Sequence, residues 1–167
     1  TNPFGRKSPA LQAQEAVIEK ALAGEILALP NSSGAMPVVR VVPVEAKKAA
    51  DAQANQVFRL TVDGHPFQVT IASGLDSKES LAKLADFVSM VPAHLRPALK
   101  SVTLSKTPNP EDAYWAKVYG LDSFSAAATA GGGAITIWNL EANPYNLNEG
   151  VFNHEMAHLF GAAYSTS

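Results

Sequence analysis

Two alternating runs of residues around an Asp-Gly pair constrain the fold of this chain more than any other feature. In Val57–Val62 and His65–Ile71, apolar side chains recur at every second position, and Asp63 and Gly64 separate the two runs. Alternation of period two is typical of strands with one buried face, and Asp-Gly is a preferred pair for a two-residue hairpin turn. The segment therefore predicts an antiparallel hairpin, and Pro66 places the start of its second strand at a sheet edge or outside the ladder.

Helical spacing of apolar residues recurs in three other segments. We predict helices over Pro9–Ala23, Ser77–Val91 and about Asn148–Phe160. Ser8 before Pro9 favours a hydroxyl cap on the first of these helices, and Ser77 with Ser80 favours a cap on the second.

Shorter apolar runs complete the pattern. We predict strands over Pro37–Val44, Val102–Leu104 and Ala134–Asn139, the first at a sheet edge because Pro37 and Pro43 interrupt it. Three segments are less regular. We predict a short helix or loop over Glu45–Asn55, a helical turn or strand over Ala113–Gly120, and a flexible stretch of small residues over Ser125–Gly133. Together the segments predict an α+β fold, with a mixed, twisted sheet, backing helices and a C-terminal helix.

Composition narrows the class of protein. The 167 residues include 13 Lys and Arg against 15 Asp and Glu, which gives a net charge of −2 and no basic block for nucleic acid. No apolar run reaches the roughly 18 residues that a membrane span requires. Cysteine is absent, which excludes disulfides and thiolate ligands, and the length favours one domain.

The last predicted helix carries the residues with the clearest chemistry, His154, Glu155 and His158. Two histidines four residues apart lie one above the other on a helix face, so both imidazoles can reach one zinc ion. Glu155 lies on the neighbouring side, where a carboxylate can take a proton from a metal-activated water and return it to a leaving amine. The spacing therefore predicts His154 and His158 as metal ligands and Glu155 as the catalytic base.

At His154–His158 the chain resembles the zincin family of zinc metallopeptidases, whose signature is a His-Glu-x-x-His helix. The resemblance implies a zincin-like sheet, a Zn²⁺ cofactor and a peptide or protein substrate. It also implies a strand beside the cleft that pairs with extended substrate, for which Ala134–Asn139 is the counterpart. Such pairing uses main-chain hydrogen bonds from an exposed strand edge.

The third zinc ligand is left open. Gly161 matches the partial metzincin pattern His-Glu-x-x-His-x-x-Gly, but Tyr164 stands where that branch has its third ligand. The branch of zincins that resembles anthrax lethal factor instead takes a glutamate from a later helix. Tyr164, His65, His94 and a residue beyond the chain end are the alternatives. We favour the last of these, which predicts that residues 1–167 are a single metallopeptidase-like domain and a fragment that lacks a C-terminal subdomain.

The sequence thus predicts a zinc-dependent metallopeptidase that acts as an endopeptidase. The alternatives are a catalytically inactive zincin-like binding module and a structural metal site, for example across a dimer contact. The absence of cysteine does not fix the compartment, because such a chain folds in the cytosol or outside the cell, and of the two we favour a secreted protein that has lost its signal.

Overall fold

The computed structural model describes residues 8–31, 33–44, 56–110, 112–120 and 127–165. Within these residues the helices are α1 (Pro9–Leu22), α2 (Ser77–Ser89), α3 (Asp112–Val118) and α4 (Glu149–Ser165). The strands are β1 (Leu27–Ala28), β2 (Val38–Val44), β3 (Gln56–Val62), β4 (His65–Ile71), β5 (Ser101–Leu104), β6 (Ala128–Gly131) and β7 (Ala134–Ile137). Single 3₁₀ turns cover Arg96–Ala98 and Pro144–Asn146.

The strands form one mixed sheet in the order β1-β2-β3-β4-β5-β7-β6. Strands β4, β5 and β7 run parallel to one another, and the remaining neighbours are antiparallel. The predicted hairpin is confirmed as β3–β4, in which Val62 pairs with His65. Asp63 and Gly64 both have positive φ, 48° and 85°, as a type I′ turn requires. The α+β class is therefore confirmed.

Helices α1, α2 and α4 cover one face of this sheet. The buried side chains of the strands alternate along the chain and join residues of α1, α2 and α4 in one hydrophobic cluster. Ile135 and Ile137 are fully buried on this covered face, as their alternation predicts. The positions between the buried ones, such as Arg40, Arg59 and Gln68, lie on the opposite, open face and are exposed.

The first two helices begin at side-chain caps. The Ser8 hydroxyl accepts a hydrogen bond from the Leu11 amide at 3.1 Å, which confirms its predicted role. The prediction for α2 was wrong by one residue, because Asp76 is the cap and its carboxylate accepts from the Glu79 amide at 3.0 Å. A carboxylate at this position also lies favourably at the positive end of the helix dipole.

One irregular segment is more ordered than the sequence predicts. Ser125–Gly133 was expected to be a flexible stretch, but residues 128–131 form β6, and Gly132 and Gly133 form the tight turn into β7 with φ of 62° and 84°. Gly-Gly supplies the two positive φ angles of a two-residue hairpin, which explains the order. The segment Ala113–Gly120 is mainly helical, as part of α3, and Glu45–Asn55 lies outside the described residues.

Strand β2 lies close to the sheet edge, as its prolines predict. It pairs with β3 along its length and with β1 only at Val38 and Val39. No helix in the described part of the chain is both long and apolar enough to span a bilayer.

Candidate metal centre

Helix α4 carries the metal-ligand motif, and the loop before it fixes where the helix begins. The Asn148 carboxamide oxygen accepts from the Val151 amide at 2.9 Å, which satisfies a free N–H of the first turn. The Asn146 side chain donates to the Trp138 carbonyl at 2.8 Å and so ties this loop to the end of β7. The Asn148 side chain therefore caps the start of α4, and the Asn146 side chain holds the preceding loop to the end of β7.

The two sides of α4 differ in burial. Phe152, Met156 and Leu159 are buried and belong to the hydrophobic cluster, and the Phe152 ring lies 5.7 Å from the Phe87 ring of α2. His154 and His158 are exposed on the other side of the helix. The helix is thus anchored by its apolar stripe and presents both imidazoles to solvent.

The three motif side chains converge. The Nε2 atoms of His154 and His158 are 3.2 Å apart, and their rings lie at 87° to each other. A carboxylate oxygen of Glu155 completes a group whose candidate ligand atoms all lie within 4.8 Å of one another. Glu155 is only 6% exposed, so its carboxylate lies between the exposed histidines and the buried side of the helix.

The separation of the two nitrogens fits a shared metal ion. Two imidazole nitrogens bound to zinc at about 2.0–2.1 Å in a tetrahedral arrangement lie about 3.3 Å apart. The observed Nε2–Nε2 distance of 3.2 Å agrees with that value. The same distance also suits a hydrogen bond from one neutral imidazole to the other, so the three side chains form a group that could hold a metal ion, and the distance alone does not show which metal.

The structure separates two of the predicted third ligands from this group. His65 lies at the start of β4, where its Nε2 donates to the Leu99 carbonyl at 2.8 Å and its ring stacks on Phe67. His94 is exposed in the turn after α2. Neither belongs to the ligand group found among the described residues, and the side chain of Tyr164 lies outside them.

A large cleft lies elsewhere in the molecule. It measures about 750 Å³ between α1, α2 and the loop before α4, and its lining includes Phe87, Tyr145 and Glu149 but neither motif histidine. The histidine pair therefore lies on the open surface of α4 and outside this cleft.

The prediction that Ala134–Asn139 offers a free edge for substrate is wrong. β7, the observed part of Ala134–Asn139, lies between β5 and β6, so both of its edges are already paired. The free edge at this end of the described sheet belongs to β6, which also packs against α4. The sequence carried one signal for this strand, the Gly132-Gly133 pair, whose turn makes β6 the antiparallel partner of β7.

The register of β6 shows which of its main-chain groups point away from β7. The Trp138 amide donates to the Ala127 carbonyl at 2.8 Å, and Thr129 pairs with Thr136. Because hydrogen-bonded and non-hydrogen-bonded pairs alternate in an antiparallel ladder, the main-chain groups of Ala128 and Ala130 point away from β7. The edge beside α4 therefore offers two residues with main-chain groups available for pairing.

Comparison of the chain with protein-family models, with curated proteins and with solved structures gave no match. The functional interpretation therefore depends on the geometry of α4 and the neighbouring sheet edge.

Proposed function

We propose that this protein is a zinc-dependent metallopeptidase of the zincin type. The observation that carries the proposal is the pair of Nε2 atoms 3.2 Å apart on one helical turn, with the Glu155 carboxylate within reach of both. Histidine nitrogens with a nearby carboxylate are a donor set that suits zinc.

Each motif residue has a separate role in this proposal. His154 and His158 hold the metal through Nε2. Zinc bound there would supply a Lewis acid and would lower the pKa of a coordinated water towards neutrality. Glu155 accepts the proton of the attacking water and delivers it to the amine that leaves, so its carboxylate serves as base and then as acid.

The edge of β6 is the proposed position of the substrate. An extended peptide that adds to this edge makes main-chain hydrogen bonds whatever its side chains are. Because β6 packs against α4, a peptide on this edge passes close to the helix that carries the ligand pair. The arrangement supports cleavage within a chain, since neither end of the peptide is required for such pairing.

Metal analysis and hydrolysis together test this proposal. The purified chain, loaded with zinc and dialysed, should retain about one equivalent of metal, and the cobalt-substituted form should show visible absorption bands of low-symmetry coordination. His154→Ala should abolish retention, and His94→Ala is the matched control because its imidazole is exposed and lies outside the ligand group. Equal metal retention in the two variants would refute the assignment of the ligands.

Hydrolysis of an unstructured protein substrate then tests Glu155. Glu155→Gln should retain zinc and lose at least about 100-fold in rate, since general base catalysis contributes that much or more. Glu141→Gln, an exposed glutamate in the loop before α4, should keep both properties. Hydrolysis by the Glu155→Gln variant at the original rate would refute the catalytic role. Zinc retention without any hydrolysis by the original chain would instead favour the structural metal site.

A further inference from the structure

A second pocket lies at a different place on the sheet, where β3 and β4 meet the segment that leads into β5. It measures about 350 Å³ and is lined by Arg59, His65, Gln68, Lys100 and the rings of Pro66 and Pro97, among others. None of these residues belongs to α4, so the pocket is independent of the histidine pair.

Strand pairing brings the polar residues of this pocket together. Arg59 and Gln68 are direct cross-strand partners in the β3–β4 hairpin, and both lie on the open face of the sheet. The Gln68 amide donates to the Lys100 carbonyl at 3.1 Å, and the His65 imidazole donates to the Leu99 carbonyl at 2.8 Å. Three neighbouring stretches of chain therefore fix the backbone positions of these residues.

The stem of Lys100 is also confined. A Cβ atom placed on Gly133 would lie 3.0 Å from Lys100 Cγ and 3.1 Å from Cδ, so the aliphatic chain of Lys100 packs directly over this glycine. Because packing of the stem limits the positions of the ammonium group, this lysine loses less freedom on binding a ligand than a free surface lysine does.

The charge of the pocket has one sign. Arg59 and Lys100 contribute two positive charges, and no carboxylate is among the lining residues. Among the ion pairs of the described residues, none involves either side chain. This local excess of positive charge occurs in a chain whose net charge is −2, so it does not reflect the overall composition.

We propose that this pocket, called here the Arg59 pocket, binds the phosphate group of a small phosphate monoester. The arginine fork matches two phosphate oxygens, the lysine ammonium neutralises the second charge, and the Gln68 carboxamide supplies a further donor. The volume of the pocket lies within the range of small-molecule sites, so it leaves space beyond the phosphate for an organic group against the two prolines.

A titration followed by two-dimensional amide NMR tests the Arg59 pocket. The full chain is titrated with inorganic phosphate, phenyl phosphate and acetate at constant ionic strength. We expect saturable shifts centred on the amides of Arg59, His65, Gln68 and Lys100, with tighter binding of phenyl phosphate than of inorganic phosphate. Arg59→Gln should weaken phosphate binding at least about tenfold, as loss of charged hydrogen bonds predicts.

Arg40→Gln is the matched control. Arg40 lies in β2, opposite Thr61 of β3; it is exposed on the same face but does not line the pocket. The Arg40→Gln substitution removes the same charge as Arg59→Gln and should change the affinity for phosphate less than twofold. Equal weakening by the two variants would show a general charge effect and overturn the proposal. Three other results would also overturn the proposal. They are shifts centred on α4, equal affinity for acetate and phosphate, and a titration that does not saturate by about 50 mM phosphate, which would mean binding far weaker than the millimolar dissociation constants of simple ligands.

Discussion

At the scale of single residues, the structure shows side chains whose partners the sequence does not reveal. Arg96 is the clearest of them. Its guanidinium donates to the carbonyls of Val88, Ser89 and Val91 at 3.2, 2.8 and 2.9 Å, and so satisfies acceptors at the end of α2. It also lies 3.9 Å from the carboxylate of Asp63 in the hairpin turn. One side chain therefore joins the end of a helix to the turn of the hairpin.

Replacement of Arg96 should destabilise the protein. Its side chain is only 12% exposed, so Arg96→Met would leave several carbonyls without a protein donor. We expect the free energy of unfolding to fall by about 2 kcal/mol, measured by urea denaturation. Arg40→Met removes an exposed arginine and should change stability by no more than about 0.5 kcal/mol. Similar losses in the two variants would contradict the capping role.

The cap of α2 supports a second prediction at this scale. Asp76→Ala removes the acceptor for the Glu79 amide and should cost about 1 kcal/mol. Asp76→Asn keeps an acceptor oxygen and should recover most of that loss. Thermal or urea unfolding of the two variants measures the difference, and a loss of the same size in both would assign the effect to the charge of Asp76 and not to its hydrogen bond.

The sequence predicts the histidine pair well because its geometry is local. Helical periodicity alone places residues 154 and 158 on one face, and the observed Nε2 separation agrees. The sequence could not predict the burial of Glu155 or the separation of His65 from the histidine pair, because both depend on contacts between distant segments. The predicted cap of α2 was one residue away from the observed one, because Asp76 and Ser77 are both good caps and only the backbone geometry decides between them.

At the scale of elements, the two hairpins show what sequence patterns can and cannot predict. The β3–β4 hairpin has apolar alternation on both sides of its turn, and it was predicted with nearly correct limits. In β6 the residues are Ala, Thr, Ala and Gly, of which only Thr favours strands. This strand forms because it pairs with β7 and packs its alanines on the hydrophobic cluster. The local sequence signals the pairing only through Gly132-Gly133 and does not signal the packing.

The free edge of β6 leads to a prediction about substrate binding. Ala130→Pro removes an outward N–H without removing a hydrogen bond to β7, so folding should be retained. If peptides pair with this edge, kcat/KM should fall about fivefold or more, as loss of one hydrogen bond in a bound complex predicts. Zinc retention should be unchanged.

Thr129→Pro is the informative comparison for that experiment. It removes an N–H that faces β7, so it should weaken the hairpin and lower the urea midpoint more than Ala130→Pro does. Unaltered kcat/KM in a folded Ala130→Pro variant would show that peptides do not use this edge.

At the scale of the whole molecule, α4 is attached to the remainder of the protein through its buried stripe. Phe152 is fully buried in the same cluster as residues of α1, α2 and the sheet, and its ring contacts Phe87. The α+β class and the helix positions could be predicted from periodicity. The order of the strands could not, because β7 lies between β5 and β6 through contacts that sequence order does not specify.

Truncation of Phe152 should therefore affect the entire structure. We expect Phe152→Ala to lower the free energy of unfolding by about 3–5 kcal/mol, the usual cost of removing a buried phenylalanine ring. Urea transitions followed by tryptophan fluorescence and by far-UV circular dichroism should shift together. Tyr145→Ala, at a position that is 83% exposed, should leave the midpoint nearly unchanged. Separate transitions for the two probes in Phe152→Ala would show that α4 unfolds independently.

Because the histidines are exposed and Glu155 is buried, partial loosening of the fold would affect the two kinds of side chain differently. The two imidazoles are positioned by a single turn of helix, so their spacing persists in any state that keeps that turn. The carboxylate is positioned by the packing of α4 against its neighbours, and loosening of that packing would displace it first. If the proposed zinc site and activity hold, a partly loosened protein would still capture zinc after its turnover had failed, so metal content alone would overstate the fraction of competent molecules.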